Sequence, residues 1–251
     1  MPGQIKTPEE IELIAEGGKL LRSILNDVAK LVKPGVTTKD LSDFANKEIR
    51  KVGGVPSFIG YGEKRNPFPA AICTSVNDVV VHGIPGKEVL AEGDIVGLDI
   101  GMIYKNLFTD TAITVAVGSV DEKKQKLINT TKRALEIGIQ QAVIGNKTGD
   151  IGHAVQTFAE KEGFSVVRDL VGHGVGYSVH EDPQVPNYGK KGTGAKLVEG
   201  MVIAIEPMLC TGTYHVYFES DGWTIRTEDG GLSAHFEHTI AITCKGPRIL
   251  T

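Results

Sequence analysis

Four acidic residues and one histidine stand in a pattern that can do chemistry. Asp99 closes the apolar run Ile95-Val96-Gly97-Leu98, and Asp110 opens a second strand, D-T-A-I-T-V, eleven positions later. Two strands joined by a loop of this length read as a hairpin, which brings the two carboxylates side by side. The pattern recurs downstream: E-G-M-V-I-A-I-E at 199–206 ends on Glu206, and E-H-T-I-A-I at 237–242 begins on Glu237. His173 lies in L-V-G-H-G-V-G, where glycines let the backbone pack closely around the imidazole. Unpaired carboxylates in one apolar setting repel, and one is pushed to protonate. A single strand-end acid is better explained by a bond to a loop amide; four in a repeated register, with a histidine, point to a pair of divalent cations. Oxygen-rich ligands with one imidazole suit Mn, Fe(II), Co or Zn, and the imidazole argues against Ca or Mg alone. Two such ions about 3.5–4 Å apart hold a bridging water, generate hydroxide near neutral pH and polarise a carbonyl, which is hydrolytic chemistry.

His82 and His180 form a second tier. Each opens a His-x-x-Pro (HGIP at 82–85, HEDP at 180–183) at matching places upstream of a strand-ending acid. They are placed to bond to substrate and to a developing oxyanion. The remaining histidines, His153, His215, His235 and His238, read as structural or solvated, with His238 on the strand face opposite Glu237. Gly172 to Gly176 is not a dinucleotide loop, because YSVHEDPQVPNYG follows it with two prolines and no helical stripe.

The elements that must position these groups come in the same order twice. A helix over 7–32 is capped by Thr7, with Pro8 in the first turn and Glu10 as the capping-box partner. Its apolar stripe is Ile11, Ile14, Leu21, Ile24, Leu25, Val28 and Leu31, and Lys33-Pro34-Gly35 stops it. A second helix runs from Thr38 to about Val52, and strands surround Ile72-Cys73 and Val79–Val81 ahead of the hairpin. In the second half a helix starts at Ser119, with Glu122 as box partner, and runs to about Ile144; another spans Thr148 to Glu162. The reading is one catalytic domain over 1–251, internally duplicated with halves of roughly 1–118 and 119–251. A site at the seam of such halves draws on both.

Composition narrows the function classes. A net charge of −4 and a pI near 6.0 give no reason to expect a nucleic-acid or anionic-membrane partner. No apolar run approaches a membrane span, and MPGQIKTPEE has no signal-peptide core. Cys73, Cys210 and Cys244 are widely spaced and odd in number, as suits reduced thiols in a cytoplasm.

Five stretches carry a resemblance: CTSVNDVVVHGIP (73–85), GHGVGYSVHEDPQVPNYG (172–189), EGMVIAIEPM (199–208), DGWTIRTEDGGLSAHFEHTI (221–240) and the Asp99/Asp110 spacing. Over nearly its whole length the chain resembles the type I methionine aminopeptidases. The resemblance implies an α+β pita-bread fold, two pseudo-two-fold-related α/β halves around a central antiparallel sheet. It implies two metal ions on Asp99, Asp110, His173, Glu206 and Glu237, with Asp110 and Glu237 bridging. Glu206 would move the proton from the bridging water toward the leaving amine, His180 would stabilise the tetrahedral intermediate, and His82 would contact the substrate near the scissile amide. The implied reaction removes the initiator methionine from nascent chains whose next residue is small. The implied enzyme is a cytoplasmic monomer that meets its substrates at the ribosome.

The resemblance puts Phe58, Tyr61, Phe68, Cys73 and Trp223 at or near the methionine pocket. There the chain departs from the family: Phe58 stands where Cys is common, Val179 where an aromatic precedes the second His-x-x-Pro, and 62–71 is longer than expected. Asn106-Leu107 replaces a Gly-aromatic pair in the hairpin, and Asn tolerates the same left-handed turn. Competing readings are an Xaa-Pro aminopeptidase or prolidase of the same fold, a creatinase-type enzyme, and a non-catalytic binding protein. The last two should have lost part of the five-ligand set, which is complete here. The short spacing from His173 to Glu206 leaves no room for the insertion of the other methionine aminopeptidase type.

Overall fold

The computed structural model describes residues 4–251; Met1, Pro2 and Gly3, part of the segment read for a targeting signal, lie outside them. The first half contains α1 (Pro8–Leu31), α2 (Thr38–Lys51), β1 (Val55–Pro56), β2 (Ile72–Val76), β3 (Val79–Val81), β4 (Ile95–Tyr104) and β5 (Leu107–Ala116). The second contains α3 (Glu122–Gln140), α4 (Thr148–Lys161), β6 (Ser165–Val166), β7 (Gly172–Gly174), β8 (Glu181–Val185), β9 (Val202–Ile205) and β10 (Met208–Cys210). It continues through β11 (Val216–Phe218), β12 (Ile225–Thr227), β13 (Ser233–His235), β14 (Glu237–Thr243) and β15 (Gly246–Ile249).

Local chemistry explains the helix boundaries. Thr7 caps α1 in a full capping box with Glu10, as expected, and the apolar stripe is buried apart from Leu31, which stays 37% exposed at the last turn. The cap of α3 differs from the sequence reading. Asp121, not Ser119, is the N-cap, accepting the Lys124 N–H at 2.8 Å. Ser119 instead gives its N–H to Glu92 across the preceding turn. α3 also stops at Gln140, short of Ile144, because the Asn146 side chain bonds the Gln141 carbonyl and turns the chain.

The main sheet is antiparallel, in the order β1-β4-β5-β14-β9-β7-β8, with β2 on β4 and β15 on β14. The halves meet where β5 pairs with β14, Glu237 opposite Ala112 and His238 opposite Thr111. Two apolar clusters pack the helix layer on the sheet, one around Leu21, Leu25 and Leu98 and one around Leu127, Ile151 and Ile240. That burial leaves the other face of the central strands free for polar side chains.

The hairpin also differs in extent. Asp99 does not end its strand and Asp110 does not begin one. β4 and β5 pair from Ile95↔Ala116 to Tyr104↔Leu107, and the turn falls at Lys105 and Asn106, both with positive φ (49° and 67°). This is the left-handed tolerance anticipated for Asn106, shared with Lys105, as a two-residue hairpin requires.

Candidate active site

Register places the acids. On β4 and β5, Asp99 is opposite Ala112, and Ala112 is in turn opposite Glu237 of β14. Directly opposed residues share a face, so Asp99, Ala112 and Glu237 form one row, with only a methyl between the two acids. Asp110, two residues from Ala112, lies on the same face one pleat along. β9 pairs with β14 through Ile205↔His238, so Glu206, the next residue, continues the row beside Glu237. Gly174 of β7 pairs with Ile203 of β9, which puts His173 opposite Ala204 and on the face shared with Glu206. Two glycines make room for these neighbours: a Cβ on Gly172 would sit 2.4 Å from the Ala204 carbonyl oxygen, and one on Gly174 2.2 Å from that of Asp182.

The acids are held through their backbones while their side chains stay open. Thr239 Oγ1 accepts the Asp110 N–H at 3.0 Å and donates to its carbonyl at 2.7 Å. Thr111 Oγ1 donates to the Glu237 carbonyl, and Asn187 Nδ2 to that of Glu206. Asp99 Oδ1, Asp110 Oδ1 and Glu237 Oε1 are buried without any hydrogen-bond partner. Such orphaned oxygens are costly. One ligand atom each from Asp110, His173 and Glu237 lie within 4.8 Å of one another; among the described residues Asp99 and Glu206 fall outside this tight group. His173 Nδ1 lies 2.9 Å from the Gly174 carbonyl, so that nitrogen carries the proton and Nε2 keeps its lone pair, 3.3 Å from Glu206 Oε1. Neutral imidazoles oriented this way are metal ligands elsewhere. The donor set therefore fits divalent cations.

Burial and crowding act on every titratable group. Burial, opposed by hydrogen bonds with Asp110 and Cys73, pushes Asp99 up to about 7. Asp110, Glu206 and Glu237 are driven well above the carboxylate range by burial first and by each other's charge second. Burial lowers His173 to about 3 and His82 to about 4, and lowers His180 as well. Without cations the cluster thus tends to hold protons.

One cavity of about 60 Å³ gathers Asp99, Asp110, His173, Glu206 and Glu237 with His82, His180, Cys73, Phe58, Tyr61, Phe68 and Trp223. His180 stacks edge-on against His173, centroids 4.3 Å apart, and Tyr61 Oη lies 2.6 Å from its Nδ1. His82 holds a left-handed backbone (φ 58°), unusual for a non-glycine residue and frequent at functional sites. Phe68 meets both Phe58 and Trp223 edge-on, at 6.4 and 5.3 Å. Phe58 and Val179 pack in one cluster with Phe68, Ala70 and Cys73. The long 62–71 segment docks on Trp223: the indole N–H donates to the Asn66 carbonyl, and Asn66 donates to that of Asp221.

His153 and His215 are exposed, and His238 lines a separate cavity away from the acids, opposite in facing to Glu237. His235 is the structural case rather than a solvated one. It is buried, with its Nε2 unpartnered and 3.9 Å from Glu206 Oε2. The signal is its position two residues before Glu237, the same-face spacing of extended chain. Ala112 and Thr239 were missed because nothing in their type marks them.

The chain as a whole is similar to known proteins. The model of metallopeptidase family M24 matches residues 12–244. The methionine aminopeptidase of Clostridium acetobutylicum is 51% identical over 248 residues, 98% of each chain. The crystal structure of methionine aminopeptidase from Thermotoga maritima superposes with a TM-score of 0.96 at 46% identity, covering 99% of both chains. A prolidase from Pyrococcus furiosus, at 23% identity and a TM-score of 0.78, covers 98% of this chain and 65% of its own, a likeness of fold alone. The expected α+β pita-bread architecture is the one found. A family match over this span, with half the residues identical to a full-length relative, means that the chain belongs to metallopeptidase family M24.

Proposed function

We propose that this chain is a metal-dependent aminopeptidase that hydrolyses the N-terminal methionine from peptides and nascent proteins with a small second residue. The observation that carries the reading is the close group of ligand atoms from Asp110, His173 and Glu237, on acids that keep buried, unpartnered oxygens, in a cavity walled by aromatic rings. The similarity to proteins named methionine aminopeptidase supports it over the Xaa-Pro alternative.

Asp99, Asp110, His173, Glu206 and Glu237 would hold two cations, drawn from Co, Mn, Fe(II) or Zn. When bound, such cations polarise the scissile carbonyl and acidify the attacking water. The remaining work falls to the chain. Glu206 takes the proton from that water and carries it to the leaving amine. Tyr61 Oη lies 2.6 Å from His180 Nδ1, and in the tautomer that serves the reaction it is the phenol that donates. The His180 proton then sits on Nε2, available to the developing oxyanion, where one well-aimed donor is worth about 10²–10³ in rate. His82, kept neutral by burial, contacts the substrate near the scissile amide. Phe58, Tyr61, Phe68, Cys73 and Trp223 wall the methionine side chain, and the crowding beside the acids limits the second residue. The expected setting is one catalytic domain of two duplicated halves, a cytoplasmic monomer meeting nascent termini at the ribosome.

Mn-loaded protein should release methionine from Met-Ala-Ser and leave an Xaa-Pro peptide intact. Cleavage of the Xaa-Pro peptide alone would overturn the assignment.

A further inference from the structure

Resting on the peptidase reading, we infer that Lys6 is a positioning residue for His180, acting through Glu181. Lys6 does not reach the acid cavity. Its Nζ lies 2.5 Å from Glu181 Oε2, and the two side chains are only 1% and 2% exposed although 175 residues separate them. Glu181 Oε1 accepts the backbone N–H groups of Tyr177 and Ser178, the latter at 2.9 Å. Ser178 Oγ in turn donates to the His180 carbonyl at 2.9 Å. The turn that presents His180 is therefore folded around one carboxylate, and Lys6 supplies that carboxylate's counter-charge.

The other end of the tether is equally defined. The Lys6 N–H donates to the Gly200 carbonyl at 2.8 Å, and the Gly200 N–H to the Ile242 carbonyl at 3.0 Å. Ile5 forms an antiparallel bridge with Met201. Lys6 is thus fixed to the ends of β9 and β14, the strands that position Glu206 and Glu237. Lys6 Nζ also lies 4.7 Å from the Tyr177 ring centroid, within the same turn. One buried ion pair sets the distance between the acid row and the imidazole that faces it. A buried ammonium is retained only where its partner is matched closely, which makes the pair a rigid spacer.

The test is a double-mutant cycle on Met-Ala-Ser cleavage by Mn-loaded protein. Lys6→Met should lower kcat about tenfold or more with KM within about twofold, as small misplacements of a reacting group do. Mn affinity by calorimetry should be unchanged, and Lys6→Arg should recover most of kcat. In a His180→Ala background Lys6→Met should cost nothing further, since residues acting through one group are not additive. The same loss in both backgrounds, or full kcat in Lys6→Met, overturns the inference. Should Lys6→Met not fold, Glu181→Gln runs the same cycle against His180→Ala, with additive losses again overturning it. Wild-type protein inactive on methionyl peptides would instead remove the peptidase reading. The His180 imidazole NMR resonance, identified by its absence in His180→Ala, then decides: displaced by the Lys6 substitution it supports the tether, unmoved it overturns it.

Discussion

Two sets of buried carboxylates flank His180, and the fold treats them in opposite ways. Glu181 receives a lysine on one oxygen and two backbone N–H groups on the other. Asp99, Asp110 and Glu237, a few residues away in space, each keep an oxygen with no partner at all. Both sets carry the desolvation cost of burial, but only one is compensated by the chain. A carboxylate that serves the architecture is neutralised within it; those left open have the chemistry to take a cation from outside. The helix caps follow the first pattern, as when Glu10 returns a bond to the Thr7 N–H.

The largest effect that would sharpen this contrast is on turnover. Asp110→Asn should reduce metal-dependent cleavage by more than about 100-fold, beyond the 10–100-fold typical of groups behind a ligand. The metal-free variant should melt no lower than metal-free wild type, because an amide of the same shape replaces a carboxyl that burial already favours in its protonated form. Near-normal turnover would remove Asp110 from the ligand set. Glu181→Gln should do the reverse to stability, costing about 3–5 kcal/mol whether or not metal is present, because it strands Lys6 in the interior. Denaturant titration in EDTA and in Mn reads this directly, and a cost that vanished with metal would erase the distinction between the two sets.

Metal itself supplies the third measurement. Mn at about 100 times its Kd should raise wild-type stability by about 2.7 kcal/mol through mass action. Thermal melts should show that gain shrinking in Asp110→Asn and persisting in Lys6→Arg. The smallest effect belongs to carboxylates at the surface. Lys39→Ala breaks a pair with Asp43 whose side chains are 62% and 63% exposed. Melting temperature and turnover should stay within scatter, since solvent already screens such pairs.

Much of the site was legible along the chain, and the failures share one cause. The five ligand candidates announce themselves by type, because acids beside apolar strands need a reason. The same expectation misled the strand limits. Asp99 looked like a strand end, yet Ile100, Met102 and the rest of β4 continue past it, because its side chain opens onto the shared cavity. His235 reads along the chain as structural or solvated, although its spacing to Glu237 places it on the acid face. Ser119 lost the cap of α3 to Asp121 because Glu92, distant in sequence, claims its N–H.

By itself the sequence determined the helices, the turn at Asn106 and the residue types of the acid row, since caps, periodicity and backbone tolerance act over a few residues. Only the tertiary structure decided that Asp99, Ala112 and Glu237 share one row, that Glu206 extends it, and that Lys6 finds Glu181. Two of these pairings, Ala112 with Glu237 and Lys6 with Glu181, join segments more than a hundred residues apart. Their register is chosen by the packing of both halves at once, a property that no local stretch of chain contains.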